Sequence, residues 1–139
     1  MGGEWERSGE KVISLEEVCR FLKSLGVEAE EDPLLPFIAA REEERLCNET
    51  NQPEVVKGLE QLALYRAAGQ YLRLKKDSGQ LQAETLTLEM PEKQIQEGDT
   101  QITYAVEAAL SPEQRLEQLI GFLLGDHAAE IARYRRLLF

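Results

Sequence analysis

The sequence predicts a mainly α fold: a small bundle of four to five helices around a long central helix, with one β-hairpin or extended loop at about 84–106. Three observations carry this reading. Apolar residues recur at i, i+3, i+4 and i+7 through most of the chain. Helix-start signals stand at Ser14, Asp32-Pro33, Pro53 and Ser111-Pro112. Two stretches, 84–90 and 101–106, alternate apolar with polar residues instead. A chain of 139 residues, 42% hydrophobic, is one domain in size and buries about two-thirds of its unfolded surface. The expected division is a flexible N-terminus at 1–11, a single helical domain at 12–125, and a C-terminal tail or helix at 126–139.

Ser14-Leu15-Glu16-Glu17 reads as a capping box, with the Ser14 hydroxyl accepting the amide of residue 17 and Glu17 reaching back. Leu15, Val18, Cys19, Leu22 and Leu25 then share one face, and Gly26 stops the helix. Asp32 can cap the second helix, with Pro33 and Pro36 inside its first turn. Leu35, Ile38, Ala39, Leu46 and Cys47 form its stripe, and Glu42, Glu43 and Glu44 read as its solvent face.

The third helix is expected to start at Pro53 and to run to Lys76. Its apolar residues cover more than one face, so it must be surrounded, with part of the girth shared between the core and a second subunit. Ala67, Ala68 and Gly69 allow another helix to come close there, although Gly69 costs about 1 kcal/mol relative to alanine. Asp77-Ser78-Gly79 ends this helix. Leu86, Leu88 and Met90, then Ile102, Tyr104 and Val106, alternate as on half-buried strands around the turn at Gly98-Asp99. Two strands alone are marginal in water and need a cover. Ser111-Pro112-Glu113 opens the last clear helix, carrying Leu116, Leu119, Ile120 and Leu123; Gly125-Asp126 kinks or restarts it.

Several function classes find no support. No apolar run approaches the roughly 20 residues that cross a bilayer. The first residues lack the apolar stretch of a secretory signal, and Glu6 stands where a myristoylation pattern has Ser or Thr. The expectation is a chain made and folded in a cytoplasm. Cys19 and Cys47 read as buried free thiols, and His127 as a surface residue rather than a base. No zinc spacing, Gly-rich phosphate loop or nucleophile motif is present, so no catalytic residue, cofactor or metal is expected. The net charge of −10 disfavours ordinary nucleic-acid binding. Residues 1–60 hold 15 acids against 7 bases and residues 61–139 hold 11 against 9, with a basic cluster, "RYRR", at 133–136. That cluster fits either assembly steering or a solvated helix end.

The order of these segments resembles a known family. "DPLLPFIAAREEERLCNETNQ", followed by the long "GLEQLALYRAAGQYLRLKK" helix, is similar to the ring-forming head–tail connector (head-completion) proteins of tailed bacteriophages and prophages. "QIQEGDTQITYAV" resembles their Ser/Gln-Ile-x-x-Gly-Asp-x-x-Val-x-Phe stretch, and "SPEQRLEQLIGFL" with "RYRRLLF" resembles their last helix and Arg-rich, aromatic-ended tail. The likeness covers roughly 14–139. It departs at Gln94, where the family has Ser, and at Phe139, where it has tryptophan.

The resemblance implies a structural virion protein and not an enzyme. It implies a homo-oligomeric ring of about twelve copies, monomeric alone, beneath the portal after DNA packaging. The ring extends the channel for double-stranded DNA, which passes without specific binding, and carries the next head-closure or tail protein. The location implied is the host cytoplasm during assembly and then the head–tail junction, with no membrane. Arg133, Tyr134, Arg135, Arg136, Leu137, Leu138 and Phe139 would dock on the portal. Gln94, Gln96, Glu97, Gly98, Asp99 and Thr100 would face the channel or the downstream protein. The alternative is a small acidic cytoplasmic helical regulator or protein-binding module; an enzyme subunit completed by oligomerisation is a third, weaker reading.

Overall fold

A computed structural model describes residues 14–87 and 111–136. It is mainly helical, as the periodicity predicts. Five α-helices are described: α1 (Leu15–Ser24), α2 (Leu34–Thr50), α3 (Glu60–Asp77), α4 (Pro112–Leu123) and α5 (Ala128–Arg133), with 3₁₀ turns at Lys57–Leu59 and Ala83–Thr85.

The caps at Ser14 and Ser111 come from the expected residues, but Glu17 does not reach back to complete a box at Ser14, and the N-cap position of α2 is Pro33, one residue after Asp32. Ser14 Oγ accepts the Glu17 amide at 3.3 Å. Asp32 Oδ1 accepts the Leu34 amide at 3.0 Å, just ahead of α2. At α4 a complete capping box forms: Ser111 Oγ accepts the Gln114 amide at 3.2 Å, and the Ser111 amide donates to Gln114 Oε1 at 2.9 Å. α1 closes on a Schellman turn, with Val27 N–H donating to the Leu22 carbonyl and Gly26 N–H to that of Lys23, both at 2.9 Å. Gly26 has φ +93° there, a conformation that costs side-chain-bearing residues energy.

α3 is the hub, packed against α1, α2 and α4. Leu62, Ala63, Ala67, Ala68, Tyr71 and Leu72 are all at most 3% exposed. The chain's own helices cover nearly all of this girth, and the part left open is Leu74, the exposed large apolar side chain of α3. The small residues do what their size suggests. A Cβ on Gly69 would lie 2.9 Å from Leu123 Cβ and 2.8 Å from Leu124 Cδ2, so the close approach at this point is that of α4's last turn.

Three local expectations are corrected. α3 starts at Glu60 rather than Pro53. α2 runs to Thr50, where Thr50 Oγ1 donates back to the Leu46 carbonyl at 2.8 Å, and Asn51 then turns left-handed at φ 58°. The chain must reverse before a new helix can pack, and Pro53 lies in that reversal, which buried Val55 and Leu59 pin to the core. The start of the expected hairpin, residues 84–87, is not a strand. Ala83–Thr85 form a 3₁₀ turn, and the Thr87 amide donates to the Leu25 carbonyl at 3.0 Å, so these backbone groups serve the turn and the end of α1. No strand occurs among the described residues, and the rest of 84–106 lies outside them. Cys19 and Cys47 are free but only half-buried, and burial raises both thiol pKa values above the ordinary range.

Candidate docking groove

Three ion-pair and hydrogen-bond groups set the surface chemistry. At the start of α2, Tyr71 donates its hydroxyl to Asp32 Oδ2 at 2.6 Å, and Lys75 Nζ lies 3.0 Å from the same oxygen. The Tyr71 hydrogen bond, then the Leu34 amide and Lys75, hold Asp32 down to about 2. Burial first, and then the Asp32 carboxylate, push the Tyr71 hydroxyl well above its usual value. On the other side of α2, Arg66 is 7% exposed and donates to Glu49 Oε1 at 3.0 Å, while Arg45 reaches Glu49 at 3.7 Å and Glu42 at 3.5 Å. Near α4, Arg73 and Lys76 converge on Glu117 Oε2 at 3.1 and 2.9 Å.

Between the second and third of these groups, α2 and the C-terminal half of α3 form a groove of about 520 Å³. Phe37 and Leu74 line it with 59% and 44% of their surfaces exposed. Beside them the groove is lined by Leu34 and Ile38 and by polar side chains at helical spacing: Arg41, Glu44 and Asn48 follow Phe37, and Gln70, Arg73 and Asp77 flank Leu74. Glu42 also lines the groove and is 5% exposed. Its Oε1 is buried without a hydrogen-bond partner among the described residues; Arg45 at 3.5 Å is near but not aligned as a donor. Glu42 is thus balanced by the Arg45 ion pair rather than by a hydrogen bond.

The groove was not singled out from the sequence, and the signals for it were present. Glu42 stands seven residues after Leu35 and four after Ile38, in register with the core stripe, so its burial corrects the reading of 42–44 as a solvent face. Glu44 does face solvent, and Glu43 is intermediate. The uncovered apolar pair could be read from Phe37 and Leu74 standing among charges at helical spacing.

The expected docking segment lies elsewhere. Arg133, Arg135 and Arg136 are exposed and form no ion pair with a described residue. Ile131 is 8% exposed and belongs to the core, while Tyr134 is half-buried with its ring packed on Gly58. The backbone is stitched to the α2–α3 connector. The Arg136 amide donates to the Thr50 carbonyl at 2.7 Å, Asn51 Nδ2 to the Arg136 carbonyl at 3.0 Å, and Gln52 Nε2 to the Tyr134 carbonyl at 2.9 Å. Leu137, Leu138 and Phe139 lie outside the described residues, as do Gln94, Gln96, Glu97, Gly98, Asp99 and Thr100. His127, expected at the surface, is half-buried, with Nε2 buried and unpartnered among the described residues. No described group of three His, Cys, Asp or Glu residues is placed to hold a metal, and no described helix is long and apolar enough to cross a membrane.

Comparison with family models, curated proteins and solved structures gives no match to this chain.

Proposed function

We infer that this chain is a self-assembling structural protein of the head–tail connector type, whose copies join into a ring and dock on a portal. The observation that carries the reading is the α2–α3 groove, where Phe37 and Leu74 stay in solvent among charged side chains. Apolar pairs rimmed by charge are the anatomy of protein contact surfaces, in which a desolvated centre provides affinity and a polar rim provides selectivity. Sequence order supplies the rest of the argument. The order of the helical segments and the arginine-rich tail resembles that family, and a net charge of −10 would let DNA pass through a channel without being held.

Electron microscopy of the purified protein, alone and with a portal, tests the proposal. Annular particles, or decoration of the portal, are the expected result. A fixed dimer with no portal affinity would favour the acidic regulator instead. Deleting 131–139 is a poor probe of docking, because it would remove buried Ile131 and the Arg136–Thr50 hydrogen bond together. Replacing Arg133, Arg135 and Arg136 with serine leaves that backbone in place and isolates their charge.

A further inference from the structure

The exposed apolar side chains of this molecule gather at one end. Among the described residues three large ones stand open: Leu15, Phe37 and Leu74, at 38%, 59% and 44% exposure. Phe37 and Leu74 line the α2–α3 groove, and Leu15 opens α1. α1 runs antiparallel to α3. The Phe21 ring lies 6.2 Å from that of Tyr65, while Cys19, nearer the start of α1, acts electrostatically on Tyr71, further along α3. α1 therefore begins where α3 finishes. Tyr71 and Lys75 hold Asp32 at that same end, just before Leu34 and Phe37 enter the groove. Residues 1–13 join the described structure there, at Ser14.

Those residues suit the groove better than the other stretches outside the described residues. They hold the chain's one tryptophan, Trp5, a large apolar side chain whose indole N–H can meet a groove carboxylate, Glu44 or Asp77. Trp5 stands nine residues before Ser14, a reach of up to about 30 Å. Three acids and two bases in the segment match a rim whose charges balance, Arg41, Arg45 and Arg73 against Glu42, Glu44 and Asp77. Residues 88–110, by contrast, carry five acids against one base. Residues 137–139 start beside Thr50 and span about 10 Å, whereas Phe37 lies about 20 Å back along α2.

We propose that residues 1–13 fold back over Leu15 and lay Trp5 in the α2–α3 groove of the same molecule, against Phe37 and Leu74. The contact is intramolecular, so it forms at any dilution. It ties down a segment that the sequence alone reads as flexible. The inference goes beyond the connector reading and does not depend on it; where copies meet through the groove, this segment gives way first.

A single tryptophan makes the test direct, because all indole fluorescence of the full-length chain reports on Trp5. Dilute wild-type protein should emit to the blue of the urea-unfolded chain and resist quenching by acrylamide. Phe37→Ser and Leu74→Ser, both at exposed positions, should each shift the emission to the red and raise the quenching toward the unfolded value. Arg135→Gln, beside the α2–α3 connector, should change neither. Circular dichroism checks that the helices persist; if Leu74→Ser loses helix, Leu74→Gln replaces it. Wild-type emission that matches the unfolded chain overturns the inference, as does a buried tryptophan that neither groove substitution moves. Burial that is lost on dilution assigns the indole to the groove of a second copy and overturns it too. Annular particles in the microscope, or their absence, bear on the connector reading alone, so the two readings fail separately.

Discussion

Gly69 and Leu123 set how closely α3 and α4 approach: a Cβ added to Gly69 would sit 2.9 Å from the Cβ of Leu123. Leu123 is fully buried, and its Cβ is fixed by the last turn of α4, so the contact cannot be relieved by rotating a side chain. Gly69→Ala gains about 1 kcal/mol of helix propensity but forces α4 outward, and overpacking of this kind costs about 1–3 kcal/mol. The expected outcome is a net loss of stability, read as a lower urea midpoint at unchanged slope.

Asp32 ties the start of α2 to Tyr71 and Lys75, and its pKa is depressed to about 2. A depressed carboxylate stabilises the fold above its unfolded value and loses that contribution as pH falls toward its folded one. With a fifth of the side chain exposed, the contribution is about 1–2 kcal/mol. Wild type should exceed Asp32→Asn by that amount at pH 7. The gap should narrow between about pH 4 and pH 2, as followed by chemical unfolding at each pH.

Arg66 is the buried partner of the Arg66–Glu49 pair, with 9% of its side chain exposed against 34% for Glu49. Removing Glu49 strands a buried cation, whereas Arg66→Met removes the cation and retains much of the volume. Glu49→Ala should therefore cost more stability than Arg66→Met, by about 1 kcal/mol or more. Equal losses in thermal unfolding would refute this ordering.

Tyr134 packs the phenol end of its ring against Gly58, so a Cβ there must push that ring aside. Gly58→Ala should displace the Tyr134 ring and loosen residues 134–136 at the connector while the contacts of α1, α2 and α4 with α3 persist. Hydrogen exchange reads this directly: the Arg136 amide, bonded to the Thr50 carbonyl, should exchange at least about tenfold faster, and α3 core amides should barely change.

Features encoded by neighbouring residues were legible in the sequence. Ser14 and Ser111 cap as their positions suggest, Asp32 holds the first amide of α2 from just outside the Pro33 cap, and the small residues before Gln70 mark where a helix comes close. Features set by distant packing were less so. Pro53 carries a helix-start signal, yet the need to reverse direction after Asn51 delays α3 until Glu60. Leu86 alternates with threonines as on a strand, but the nearby end of α1 captures the Thr87 amide. Glu42 looks solvated beside Glu43 and Glu44, although its register with Leu35 and Ile38 turns it inward. The broad apolar surface of α3 signalled enclosure correctly, but a one-dimensional pattern does not tell whether the chain's own helices or a neighbour provide it.

The Asn51–Arg136 hydrogen bond joins residues 85 positions apart, at the bend between the two longest helices. Closing so wide a loop is entropically slow compared with forming either helix. During synthesis α2 and α3 can therefore coil and pack early, while the hydrogen bonds of the connector to residues 134 and 136 wait until the distal segment has been made. The angle between these helices is held already by Arg66–Glu49 at one end and by Tyr71 and Lys75 on Asp32 at the other, so the late latch seals the connector rather than setting the groove.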